Sequence, residues 1–199
     1  MGRGTRIDVA LNMALKFRFA LAVGFWSMVV AGTAAQPPVN AKAAMMKEFR
    51  DRADAYLALH KKVADELPPL KETSDPRKIA EREKLLGVNI AKARTNARPG
   101  EIFGNITALV AKTIRADFRH RSPADRKALF AEMPARVPPL GVNDIYPATV
   151  PLITFPPALL LSLPPLPEGL EYRFYGHHLI LRDVKANIVA DVLRNIVPV

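Results

Sequence analysis

Proline is the residue that most constrains this chain, because more than half of its 18 prolines lie between Pro134 and Pro167. Proline lacks a backbone donor and fixes its own φ, so it interrupts helices and is excluded from central strands. The same stretch is rich in Leu, Ile, Val and Phe, whereas disordered proline-rich segments are polar. We therefore expect residues 134–169 to be an ordered, apolar connector extended over the helical core, with a short strand at Val150–Phe155 and a helical turn at Pro157–Leu163.

The region before this connector, residues 36–133, has the periodicity of amphipathic helices. Apolar residues recur at spacings of three and four along Ala41–Glu66, and the Leu-Pro-Pro-Leu sequence of residues 67–70 ends that helix. A second helix is expected from an N-cap at Asp75 to about Asn96. Because the connection between them is short, the two helices are predicted to form an antiparallel hairpin.

Two further helices are expected before the connector. One spans roughly Glu101–His120 and carries an apolar stripe. The other is short and has a complete start signal, with Ser122 as N-cap, Pro123 in the first turn and Asp125 as the capping-box acid. It is expected to end at Met133, ahead of the next proline.

Residues 170–199 change to the period of β-strands. Apolar and charged residues alternate from residue 170 to 174, and Gly176-His177 predicts a tight turn before a return strand at Leu179–Leu181. Ile188–Leu193 is interpreted as a third strand in preference to a helical turn. The sequence thus predicts a mainly α fold of the α+β class: a helical hairpin, one or two further helices, the connector, and a small antiparallel β-meander packed on the helices.

The N-terminal segment, residues 1–35, has the three parts of a secretory signal peptide. A basic start precedes the uncharged, mostly apolar run Phe19–Ala31, and small residues follow it. Small side chains at Thr33 and Ala35 predict cleavage between Ala35 and Gln36. The mature protein is therefore expected to be periplasmic or secreted.

Two alternatives to this interpretation stay open. Translation that starts at Met13 would give the signal a more ordinary length. A retained signal would act as a membrane anchor, although a spanning helix requires about 20 apolar residues and this run is shorter.

The chain contains no cysteine, and its formal net charge is +10 at pH 7. The absence of cysteine excludes disulfides, thiolate metal ligands and a lipid-modified N-terminal cysteine. Export without disulfides favours a bacterial periplasm. The excess of basic over acidic residues favours an anionic partner such as an envelope component, while export argues against nucleic acid as that partner.

Three sequence segments together resemble an uncharacterised family of bacterial exported proteins. They are LPPLPEGLEYRFYGHHLILRDVKANIVADVL at residues 163–193, ELPPLKETSDPRKIAEREK at residues 66–84, and NARPGEIF at residues 96–103. The resemblance covers most of the mature chain. It implies export and architecture, and it implies no activity. The strand pattern alone also resembles short meanders of small periplasmic metal-homeostasis regulators.

A candidate metal site is offered by His177 and His178 at the predicted turn. Adjacent strand residues point to opposite faces, so the pair would need further ligands, for which Asp183, His60 and His120 are the candidates. A core-edge role for His60 and a helix-end role for His120 are the simpler interpretations.

Candidate catalytic residues are few. No nucleophile-elbow, zinc-protease or phosphate-loop motif occurs. The serines that follow the signal are Ser74, Ser122 and Ser162, of which the first two are interpreted as helix caps. Four carboxylates are interpreted as helix-surface charges: Glu48, Asp51, Asp54 and Asp65. The neighbours Arg115/Asp117 and Arg182/Asp183 are candidates for structural ion pairs, which when exposed stabilise a protein by only about 0–1 kcal/mol.

These observations favour a non-enzymatic envelope protein without a cofactor. It is expected to bind a protein or an anionic envelope component through its basic helical surface. The alternative is a small metal-responsive periplasmic protein that uses His177 and His178, and a hydrolase comes third.

Overall fold

The computed structural model describes residues 40–198, which contain five α-helices, a short 3-10 helix and three strands. The predicted signal, its cleavage site and the start at Met13 lie outside the described residues. The helices are α1 (Ala41–Glu66), α2 (Pro76–Ala93), α3 (Thr107–His120), α4 (Pro123–Leu129) and α5 (Pro157–Ser162). The strands are β1 (Leu170–Tyr175), β2 (His178–Asp183) and β3 (Ile188–Leu193), and the predicted α+β fold is confirmed.

Helix starts follow the local signals in the sequence. The Asp75 carboxylate accepts the backbone N–H of Arg77, and Pro76 takes the first helical position. Ser122 and Asp125 form the predicted capping box at α4. These side chains satisfy amide groups that a helix start leaves without an intrahelical partner. Among residues 40–198, no helix is both long and apolar enough to cross a membrane.

The predicted start of the third helix at Glu101 is wrong. Residues 104–106 form a single 3-10 turn, and α3 begins only at Thr107. Gly104 has a φ of 50°, a left-handed conformation that a regular α-helix does not contain. The turn before it is instead held by a distant carboxylate, Asp191, as described below.

The three strands form an antiparallel meander in the order β1-β2-β3. The first hairpin has the predicted two-residue turn, with Tyr175 paired to His178 and Gly176 at a φ of 54°. Positive φ is required in such turns, and glycine adopts it without steric cost. The β2–β3 pairing shifts register once, between Leu181 and Arg182.

Both faces of the sheet are buried, and each face has its own core. On the inner face, Tyr172 stacks on Phe103, which stacks on Phe49 of α1, with ring centroids 6.4 and 5.9 Å apart. The outer face is covered by the first half of the connector. That second core consists of Leu140, Tyr146, Val150, Tyr175, Ile180, Val189 and Val192.

The connector is extended but contains no strand at Val150–Phe155, so that prediction is wrong. The pairing occurs earlier, where Ile145 bridges to Ile188 and the amide of Asn143 donates to the carbonyl of Val189 at 2.8 Å. This closing segment, residues 143–146, covers the outer edge of β3. The predicted helical turn after Pro157 is confirmed as α5.

Candidate binding surface

The two candidate metal ligands at the hairpin turn do not converge with the others. His177 is exposed, and His178 accepts the backbone N–H of Asn195 at its Nδ1, 3.0 Å away. Burial, with Arg194 and His177 nearby, lowers the pKa of His178. Asp183 lies at the opposite end of β2, about 17 Å away along the strand. Within residues 40–198 no three His, Asp or Glu side chains form a metal-binding group.

His60 and Asp183 are brought together, in a buried contact between α1 and the sheet. The His60 Nδ1 lies 2.5 Å from the Asp183 carboxylate, and the Tyr56 hydroxyl donates to the same oxygen at 2.8 Å. The backbone N–H groups of Lys185 and Ala186 donate to the other oxygen. Burial opposes ionisation of Asp183, but the hydrogen bond and electrostatic attraction of His60, together with the hydrogen bonds from Ala186 and Tyr56, lower the pKa of this carboxyl.

Neither candidate ion pair between sequence neighbours forms. Asp117 pairs with Arg121 one turn later, at 2.5 Å, so Arg115 forms no ion pair with Asp117. Asp183 faces the helices, whereas Arg182 points to the outer face and pairs with Glu171 at 2.7 Å. Adjacent residues on a strand project to opposite faces, so a neighbouring pair cannot meet there.

A His–Asp pair can activate a nucleophile only if one lies within hydrogen-bond reach of the imidazole. Ser122 is engaged in its capping box, and the Ser162 hydroxyl donates to the carbonyl of Ala158 within α5. The nearby Tyr56 hydroxyl donates to the carboxylate itself. Through Tyr56 and His60 this contact joins α1 to the inner face of the sheet.

Asp191, which the sequence reasoning missed, is the second fully buried carboxylate. It accepts the backbone N–H groups of Gly100, Ile102, Phe103 and Val192 at 2.7 to 2.9 Å. Burial raises its pKa although these four donors favour the ionised form. The sequence signal that could have identified Asp191 is that it is the one acid within the apolar strand IVADVL. This carboxylate joins the NARPGEIF segment to β3, so two of the segments that carry the resemblance are in direct contact.

Most of the charges on the surface of α1 are paired within the helix. Four of its cations pair with acids one turn away at 2.5 to 3.1 Å, so the predicted surface role of the four carboxylates is confirmed, while Lys42 and Lys62 form no ion pair within residues 40–198. The pairs are Lys47–Asp51, Arg50–Asp54, Arg52–Glu48 and Lys61–Asp65. These exposed pairs add little stability but cancel the charge of this helix face.

The surface of α3 and α4 carries cations without such compensation, and we call it the cationic surface. Its members are Lys112, Arg115, Arg119, Arg126 and Lys127, none of which forms an ion pair within residues 40–198. Both acids of the two helices are already engaged, Asp117 by Arg121 and Asp125 by the capping box. Contact between Phe118 and Phe130, with centroids 6.2 Å apart, holds α4 against α3.

The short helix α5 lies beside this surface and exposes two leucines. A groove of about 380 Å³ between α3 and α5 is lined by Lys112 and His120 on one side and by Leu159 and Ser162 on the other. On its far side α5 borders a larger groove of about 740 Å³, which runs along β1. Leu160 is 48% exposed and Leu161 is 88% exposed.

Comparison of the chain with protein-family models, with curated proteins and with solved structures finds no significant match. The resemblance to an uncharacterised family of bacterial exported proteins therefore stays a prediction. Function has to be inferred from the charges and contacts of the described residues.

Proposed function

We propose that the mature chain is a non-enzymatic protein of the bacterial envelope that binds a phosphate-bearing anionic component through the cationic surface. The observation that carries this proposal is the contrast between two helical faces. Four of the six Lys and Arg side chains on α1 are paired with acids one turn away, whereas the five on α3 and α4 have no free acid on the same helices.

The spacing of these cations suits an extended anionic surface better than a single small ion. Lys112, Arg115 and Arg119 recur at intervals of three and four, so they lie along one exposed face of α3. Arg126 and Lys127 extend the positive charge onto α4. Each basic residue near an anionic membrane contributes about 1 kcal/mol, so five give a dissociation constant of roughly 0.2 mM.

The test uses two probes, vesicles of phosphatidylglycerol with phosphatidylethanolamine, and inorganic polyphosphate. We expect the full chain to bind at least one of them at about 50 mM salt and to release it at about 500 mM, because salt screens exposed charges. Phosphatidylcholine vesicles serve as the uncharged comparison. Binding of equal strength at both salt concentrations would contradict the proposal.

A charge-matched pair of variants localises the effect. The triple variant Arg115→Gln, Arg119→Gln, Lys127→Gln removes three uncompensated cations and should weaken binding about a hundredfold. The control Lys47→Gln, Arg50→Gln, Lys61→Gln removes the same charge from α1, where each cation is paired. If the two variants lose affinity equally, net charge and not the cationic surface is responsible.

A further inference from the structure

We infer that the anionic component is a lipid surface, into which α5 inserts Leu160 and Leu161 beside the cationic surface. This inference rests on the proposed function and names the partner for it. Membrane attachment that lasts requires two contributions, charge attraction and apolar insertion, and a single one gives only weak, reversible binding. In this protein α5, which carries the exposed leucines, adjoins the cationic surface through the groove that it shares with Lys112 of α3.

The geometry of α5 holds the leucines outward on a fixed support. Leu159 is 1% exposed and Leu163 is 5% exposed, so the helix is anchored into the main core at both positions. The amide of Leu163 donates to the carbonyl of Leu159 at 3.1 Å and closes the turn. Leu160 and Leu161 lie between these anchors and cannot join the same core without breaking it.

The charges around α5 favour an anionic surface over a neutral apolar partner. Lys112 and His120 line the groove that α5 shares with α3. The acid of that groove, Asp117, is paired with Arg121, and the acid of the groove along β1, Glu171, is paired with both Arg173 and Arg182. No unpaired carboxylate therefore lines either groove beside the leucines.

A soluble polyanion and a membrane engage this region differently. A polyanion would contact the cations and leave Leu161 in water, whereas a lipid surface presents headgroup phosphates and hydrocarbon at adjacent depths. The apolar lining around Leu161, which includes Phe155 and Leu166, continues the surface that hydrocarbon would cover. The pairing of exposed leucines with uncompensated cations therefore points to lipid.

The absence of cysteine allows a single-site test on the full chain. Leu161→Cys is labelled with a polarity-sensitive fluorophore and mixed with phosphatidylglycerol-containing vesicles. We expect brighter, blue-shifted emission and protection from aqueous iodide. Leu85→Cys on α2 is the matched control, because Leu85 is a 45% exposed leucine away from the cationic surface, and its label should stay in water.

A second variant pair separates this inference from the proposed function. Leu161→Ser should weaken vesicle binding about tenfold and leave polyphosphate binding unchanged, while Leu85→Ser should change neither. Salt-sensitive vesicle binding with the label at position 161 still in water would overturn insertion and leave the proposed function standing. Binding to polyphosphate but not to vesicles would also overturn insertion and leave the proposed function standing. Binding to neither probe would overturn both the insertion and the proposed function.

Discussion

Two buried aspartates show what single residues contribute to this fold. Asp183 joins α1 to the sheet, and Asp191 joins the segment before α3 to β3. Each carboxylate receives four hydrogen-bonding groups, which is the condition under which a buried charge is tolerated. Both carboxylates connect, through hydrogen bonds, parts of the chain that are distant in sequence.

Replacement of Asp183 tests this role through its pH dependence. Because the folded state lowers the pKa of Asp183, the stabilisation is complete above the ordinary aspartate value of about 4 and is lost as pH falls through the folded value. We expect Asp183→Asn to lower the free energy of unfolding by about 3 kcal/mol at pH 7. The difference from the parent chain should shrink below about pH 4.

Urea unfolding at a series of pH values measures this difference. Asp65→Asn is the control, because its exposed ion pair with Lys61 should contribute less than about 1 kcal/mol. A difference for Asp183→Asn that stays constant down to about pH 2 would show that the carboxylate charge does not matter.

The partners of these aspartates could not be predicted from the sequence. Hydropathy assigned β2 and β3 correctly, but His60 and Asp183 are separated by 123 positions and Ile102 and Asp191 by 89. Periodicity reports which face of an element is buried and does not report which element covers it. For the same reason the cationic surface became visible only once the partners of Asp117 and Asp125 were known.

At the scale of elements, capping signals predicted two helix starts, whereas contacts between elements had no such local signal. Caps at Asp75 and Ser122 depend on residues within one turn, and both are where the sequence placed them. The strand predicted at Val150–Phe155 failed because the edge of β3 selects residues 143–146 instead. That choice depends on the second core and has no local signature.

Replacement of Gly87 in α2 by alanine is expected to destabilise the protein, which is the opposite of the usual effect of this substitution in a helix. Alanine normally stabilises a helix interior relative to glycine by up to about 1 kcal/mol. A Cβ at Gly87 would lie 2.5 Å from the Ile188 side chain and 2.8 Å from the Ala186 carbonyl oxygen. We therefore expect Gly87→Ala to lower the melting temperature and to cost about 1–3 kcal/mol of stability.

Thermal unfolding followed by circular dichroism measures this effect. Asn89→Ala, two residues away on the same helix and only half-buried, serves as the propensity control and should be neutral or slightly stabilising. A stabilised Gly87→Ala protein would mean that α2 does not contact the β2–β3 turn as closely as described.

At the scale of the whole molecule, the β-meander is the layer against which both the helices and the connector pack. The helices contribute to its inner face and the connector to its outer face, so the described residues 40–198 belong to one compact unit. The shift in composition at residue 134 marks a change of local structure and does not mark an independent core.

Cooperativity follows from this arrangement. Tyr56 and Tyr172 lie in the inner core, and Tyr146 and Tyr175 in the outer core, so tyrosine signals report on both. We expect tyrosine near-ultraviolet signals and helical far-ultraviolet circular dichroism to change at the same urea concentration. Two separated midpoints would show that the outer core melts independently of the helices.

The closing segment at the outer edge of β3 has a consequence for self-association. The strand IVADVL is short, apolar and β-branched, and an open edge of that kind templates cross-β pairing between molecules. Residues 143–146 occupy the edge through the Ile145–Ile188 bridge and the neighbouring backbone hydrogen bonds. A substitution that detaches residues 143–146 would therefore expose an aggregation site on β3.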